Sequence, residues 1–305
     1  MSKENTLRPR VQVDERGCLL FVVSHGQAAP AAFTNLVTCD RGELKAAREV
    51  VRIAGGCKHF SQDLLDKLIP YFVDAFRLVD ADGKTTREFR GTAFSGGTAN
   101  VDGEGGLKND MVTNVPAHLA AAYPCIAMST TPRTGDMALE QKHGGLVVDL
   151  YGGRIDFRQQ AALVYQQDPA TVLDWDGDLA LYLTLMEGWQ MAGFKTAIIA
   201  MNGGDVTRDE IYGALKRRIP VIAVEGSLRE TDAFIAAFRD GDWSKTASEM
   251  REKLAGKKKD TKPADDAVAA AKAVLEKADR NLVSIVPIND SKALREALVS
   301  RGFLS

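Results

Sequence analysis

The chain has 305 residues, 45% of them hydrophobic and 26% charged, which suits one large α/β domain or two small ones and excludes disorder over most of its length. Its 39 basic and 41 acidic residues leave a formal net charge of −2, so it offers no electrostatic funnel for a polyanion and nucleic-acid binding is disfavoured. No apolar run is long enough to span a bilayer, and the polar N-terminus lacks the apolar core of a secretory signal; a soluble, cytoplasmic protein that engages no membrane is expected.

Residues 1–17 are polar and read as a loose arm. Residues 18–23 form a continuous apolar run ending in two valines, the pattern of a strand buried on both faces. Asp40 stands three residues before Glu43, a helix-start pair, and Leu44, Ala47, Val51 and Ala54 follow at helical spacing up to Gly55-Gly56. That predicts a helix ending at 54. Another helix is expected after Ser61, with a kink or a late start at Pro70.

Short strands are expected at 91–95, 125–128 and 146–150, with a glycine-dense stretch running to Gly106. A helix carrying Leu179, Tyr182, Leu183, Met186 and Trp189 should stop at Gly193. Strand 195–201, helix 207–218, strand 220–225 and helix 228–239 then alternate. A lysine-rich, proline-terminated stretch at 256–263 reads as a solvated linker. Beyond it come an alanine-rich helix, a strand at 282–286 and a last helix ended by Gly302. Alternation of this kind predicts an α/β fold, a Rossmann-like three-layer αβα sandwich with a mainly parallel sheet. The division expected is an arm at 1–17, a Rossmann-like domain at 18–240, and a C-terminal helical extension at 241–305 that adds one strand to the same domain.

Open parallel sheets bind ligands beyond the carboxyl ends of their strands. Three such places combine glycine with hydroxyl or amide side chains: Ser95-Gly96-Gly97-Thr98, Asn202-Gly203-Gly204 and Glu225-Gly226-Ser227. Glycine lets a phosphate approach the backbone, and a helix N-terminus supplies free N–H groups, so the three turns point to a phosphorylated ligand. The fingerprint G-x-G-x-x-G and the P-loop lysine pattern are both absent, which counts against ordinary NAD dehydrogenases and ATPases. The four cysteines and four histidines are dispersed, without the short spacings of a zinc site, so no metal is expected.

The motifs Val22-Val-Ser-His-Gly26, Phe94-Ser-Gly-Gly-Thr98, Ile199-Ala-Met-Asn-Gly-Gly-Asp-Val-Thr207 and Val221-Ile-Ala-Val-Glu-Gly-Ser227 follow one another in a recognisable order. Across residues 18–240 the chain resembles the cytosolic N-terminal ligand-binding domain of TRPM channels (LSDAT-like), a branch of the SLOG superfamily, and more distantly the LOG phosphoribohydrolases. This chain has no channel segment, so it resembles a stand-alone soluble member. The resemblance implies binding or sensing of a nucleotide-derived ligand, ADP-ribose or another NAD-related nucleotide or dinucleotide. Gly26, Ser95, Gly96, Gly97, Thr98, Arg133, Asn202, Gly203, Gly204, Thr207, Glu225, Gly226, Ser227 and Arg229 would then line the site. No further cofactor is implied, and a homo-oligomer is left open.

The superfamily stretch P-G-G-x-G-T-x-x-E is met by Gly203, Gly204, Thr207 and Glu210, while Asn202 replaces its proline and Val206 a glycine. In the channel-type stretch G-S-G-R-x-A-D, Leu228 replaces a glycine. After Thr98 this chain inserts Asn100-Val-Asp-Gly-Glu-Gly-Gly106, where the family turns quickly into a helix. In the LOG enzymes the glutamate matching Glu210 assists cleavage of an N-glycosidic bond. The alternative function is therefore a nucleotide N-glycosidic hydrolase with Glu210 and Arg229 as catalytic candidates. Thr207-x-x-Glu210 also has the form of a capping box, as does Ser227-x-x-Glu230, and capping is the preferred reading of Glu210. A third reading is a structural protein with a vestigial pocket.

Overall fold

In a computed structural model, the described residues are 10–13, 19–24, 48–96, 98–101, 107–109, 111–134, 140–142, 145–147, 154–155, 161–167 and 176–304, with side chains described over 48–96, 111–130, 179–180 and 182–304. Nine strands form the main sheet: β1 (Arg10–Val13), β2 (Leu19–Ser24), β3 (Glu49–Gly55), β4 (Thr92–Ser95), β5 (Ile126–Thr134), β6 (Ala161–Gln167), β7 (Lys195–Met201), β8 (Val221–Glu225) and β9 (Val283–Pro287). Their order is β1-β2-β6-β5-β4-β3-β7-β8-β9. Every neighbouring pair is parallel except β1 with β2. Where a loose arm was expected, Arg10–Val13 runs antiparallel along the edge of β2.

The helices among the described residues are α1 (Gln62–Ala75), α2 (Val115–Ala122), α3 (Asp176–Met191), α4 (Asp205–Lys216), α5 (Arg229–Asp240), α6 (Ser248–Gly256), α7 (Lys262–Leu275) and α8 (Ser291–Ser300). Side chains alternate across the sheet, so the strands whose side chains are described feed two cores. Val50, Ala54, Phe94, Ile198 and Ala200 pack under α3, α4, α5 and α7. Val51, Ile53, Ala93, Ile199 and Val224 pack under α1, α2 and α8. This is the three-layer, mainly parallel Rossmann-like sandwich that the alternation predicts. No helix among the described residues is long and apolar enough to cross a membrane.

One expected element is corrected. Residues 49–55 form a central strand of the sheet, not the end of a helix. The residues Val50-Val51 and Ile53 are β-branched and buried, and hydrogen-bonded neighbours flank them on both sides, from β4 and β7. Arg52 interrupts the apolar run and so conceals it; the spacing 44-47-51-54 fits a helix only by coincidence. Pro70 neither delays nor ends α1, which starts directly after its N-cap Ser61. The proline lies on the exposed face, where water can serve the carbonyl that loses its partner.

Candidate functional site at the carboxyl edge of the sheet

Chain order reverses at β3. From β3 the chain moves to β4, then β5; it later returns to lie on the other side of β3 as β7, then moves away through β8 and β9. The carboxyl ends of β3 and β7 are therefore the switch point, where an open parallel sheet leaves a crevice between diverging connections. Gly55-Gly56 leave β3 there, and Asn202-Gly203-Gly204 leave β7.

The two turns are in close contact. Gly55 has φ +134°, and a Cβ on it would stand 1.7 Å from the Met201 carbonyl oxygen, so glycine is required. The Gly56 N–H donates to that same oxygen at 3.3 Å. Asn202, fully buried and left-handed at φ 58°, organises the rest. Its amide nitrogen donates to the carbonyls of Lys58 and Ser227, and its Oδ1 accepts from the Gly203 N–H and from Arg229 Nη1. Asparagine, standing where the resemblance expects proline, thus ties three chain segments together.

Gly204 is the N-cap of α4, and no side chain caps that helix. The first-turn N–H groups and the positive end of the helix dipole therefore stand at the carboxyl edge of the sheet without a side-chain cap. A Cβ on Gly204 would lie 2.9 Å from Arg229 Nη2, so the guanidinium abuts the mouth of α4. Arg229 is itself held by Glu249 of α6, with Nε and Nη2 each 2.5 Å from a carboxylate oxygen, and Lys58 Nζ reaches the same carboxylate at 3.4 Å. The Arg229 hydrogen bonds are the chief reason the Glu249 carboxyl is held down to about 2. Leu228 and Arg229 both have left-handed backbone, φ 71° and 56°, a strain of about 1–3 kcal/mol each that this packing sustains.

The turn at 225–227 has a different use. Gly226 N–H and Leu228 N–H donate to the Asp232 carboxylate, and Ser227 Oγ accepts from the Asn202 N–H. Glu225 pairs with Arg239. At α5 the Glu230 and Thr231 N–H groups donate to the carbonyls of Gly203 and Asn202. The donors of this turn are therefore taken by Asp232, while its Ser227 hydroxyl and the first N–H groups of α5 brace the Asn202 turn from within the protein. On the other side of β3, Ser95 ends β4 and donates its hydroxyl to the Thr113 carbonyl. A Cβ on Gly96 would meet nothing within 4 Å. Residues 98–101 continue as a strand paired with 107–109 and 154–155, so Gly96 heads no helix. Arg133 lies near the end of β5. Gly26 and Gly97, and the side chains of Thr98 and Arg133, lie outside the described residues.

Neither capping box forms. Helix α4 begins at Asp205, which places Thr207 and Glu210 inside it, and α5 is capped by Leu228 without a side-chain bond. Instead Glu210 Oε1 accepts from Arg52 Nε at 3.0 Å, from Arg52 Nη2 at 2.7 Å and from the Tyr182 hydroxyl. Arg52 also donates to Thr130 Oγ1 and lies 4.1 Å from the Tyr182 ring centroid. Arg52 is 5% exposed and Glu210 2%. The pair clamps α4 to the central strand.

Gly55, Gly56, Lys58 and Glu249 were missed by sequence reasoning. A usable signal was present: Val50-Val51-Arg-Ile53 followed by Gly55-Gly56 repeats the strand-then-Gly-Gly form of 198–204. No family model matches the chain, and no curated protein does. Among solved structures it is similar to the X-ray structure of TM1055, a structural-genomics target, at 14% identity and a TM-score of 0.42, over 83% of this chain and 97% of that one. At that degree of likeness, the Rossmann-like assignment rests on the sheet's own order and direction.

Proposed function

We propose that the chain binds a phosphate-bearing nucleotide derivative, of the ADP-ribose or NAD-related class, at the switch point between β3 and β7. The observation that carries this reading is the pairing of two glycine turns with the uncapped N-terminus of α4, directly beside Arg229. Backbone N–H groups, a dipole and a guanidinium then face one crevice, the combination that suits a phosphate. In this reading Gly55, Gly56, Gly203 and Gly204 admit the phosphates and Asn202 fixes the cradle. The partner is a small molecule, with no role for nucleic acid or membrane.

Glycosidic cleavage by Glu210 is the weaker reading. A carboxylate that stabilises developing positive charge on a ribose must reach it, whereas the Glu210 oxygen nearest Arg52 already takes three donors in a buried site. The test is calorimetry with ADP-ribose beside an assay for ribose-phosphate release from AMP, on wild type and Gly204→Asp. A carboxylate at the mouth of α4 repels phosphate and competes for Arg229, costing about 2–5 kcal/mol, or thirty-fold or more in affinity. Wild-type binding lost in the variant supports the site. No binding across a panel of nucleotides would leave the pocket vestigial, and turnover of AMP would restore the hydrolase.

A further inference from the structure

The cations of the crevice are already satisfied by an acid of the protein itself. Glu249 stands in the first turn of α6, outside the segment that resembles the ligand-binding family, and its two oxygens lie against Arg229 Nε and Nη2 in a fork geometry. Lys58, which follows the Gly55-Gly56 turn, approaches Oε2 of the same carboxylate. Two cations from opposite walls of the switch point thus converge on one anion, beside the open N-terminus of α4. The Glu249 side chain is a third exposed and Lys58 more than half, so solvent and solutes reach the cluster.

The geometry points to Glu249 as an internal stand-in for an anionic group of the ligand: a phosphate entering the crevice takes its place on Arg229 and Lys58 and releases the start of α6. This deepens the nucleotide-binding reading and rests on it. The exchange needs no change in bonding chemistry. A forked carboxylate and a phosphate present the same pair of oxygens to a guanidinium, and the phosphate adds contacts with the α4 N–H groups that Glu249 does not make. What binding gives up is one of the contacts that order the first turn of α6; the Ala247 N–H bond to Glu230 at its N-cap remains.

Calorimetry of the full chain with ADP-ribose and with inorganic pyrophosphate, on wild type and Glu249→Gln, tests the exchange. Removing the competing charge while keeping the side chain's shape should tighten binding by ten-fold or more. Equal or weaker binding by the variant, where wild type binds, overturns the stand-in and leaves the nucleotide site itself intact. Failure of both proteins to bind either probe overturns both. If Glu249→Gln does not fold, tryptic cleavage of wild type decides: saturating ADP-ribose should speed cutting after Lys245, Arg251 or Lys253 by several-fold, and unchanged or slower cutting refutes the release.

Discussion

The sharpest consequence of the structure concerns Glu210. As a helix cap the side chain would tolerate glutamine, since an amide oxygen can still accept a bond. As the partner of Arg52 it cannot. Glu210→Gln keeps the acceptor for Arg52 and Tyr182 but removes the charge that compensates a guanidinium only 5% exposed. Breaking a buried ion pair by one partner costs about 3–5 kcal/mol, because the remaining charge is left uncompensated. The retained hydrogen bonds place glutamine at the lower end, near 3 kcal/mol. With a urea m-value of about 3 kcal/mol/M, the unfolding midpoint should fall by about 1 M. The double variant Arg52→Met/Glu210→Leu removes both charges and should recover most of the loss, since apolar replacement of a buried pair is often nearly neutral. Urea unfolding of wild type, Glu210→Gln and the double variant makes the comparison. A Glu210→Gln variant within about 1 kcal/mol of wild type would refute the clamp and return Glu210 to a capping or catalytic role.

Two further outcomes concern the switch point. Gly55→Ala should destabilise by about 3 kcal/mol or more, because its Cβ overlaps the Met201 carbonyl at a left-handed φ; a thermal midpoint within a degree or two of wild type would contradict the close approach. Asn202→Ala removes four hydrogen bonds and places alanine at φ 58°, so a loss of about 3 kcal/mol or more is expected in urea unfolding, with ligand affinity falling alongside.

The layered fold was legible because buried parallel strands write themselves as continuous apolar runs: 195–201 and 220–225 could be read directly. β3 was not, because Arg52 breaks its run, and the charge of that buried arginine is met by Glu210, 158 positions later. A local reading cannot see a partner at that distance. Misreading β3 also hid Gly55 and Gly56, and with them the switch point. The capping boxes failed for a related reason. Their spacing was correct, but α4 starts two residues before Thr207, and Ser227 is drawn to the Asn202 N–H by the packing of β7 against β8. The cation at Arg229 was within reach, because arginine at a helix start is an exception to local preference that some other contact must explain, and a glycine N-cap at Gly204 leaves the helix without a side-chain cap.

Glu230 introduces a pH dependence of stability near neutrality. It is 3% exposed, its Oε1 accepts from the Ala247 N–H, and its Oε2 has no hydrogen-bond partner among the described residues. Arg208 faces it from α4, but that charge is shared with Asp205 and Asp209, while Tyr212 of α4 presents a buried hydroxyl. Burial is the chief cause that lifts its carboxyl from the ordinary 4.5 to about 7; the charge of Arg208 opposes the lift and that of Asp205 adds to it. The native state therefore holds this proton more tightly than the unfolded chain. The associated stability is full below about 4.5, declines as pH rises through 7, and is gone above it, a change of about 3 kcal/mol. Glutamine has no proton to lose and keeps the bond to Ala247, so Glu230→Gln should match wild type near pH 5 and exceed it by up to about 3 kcal/mol at pH 8. Glu249, held near 2, stays ionised across that interval and leaves the difference unchanged. Urea unfolding of both proteins at pH 5, 6, 7 and 8 measures the gap directly. A gap that stays constant, or that widens toward acid, would mean that Glu230 is ionised throughout and that Arg208 neutralises it after all.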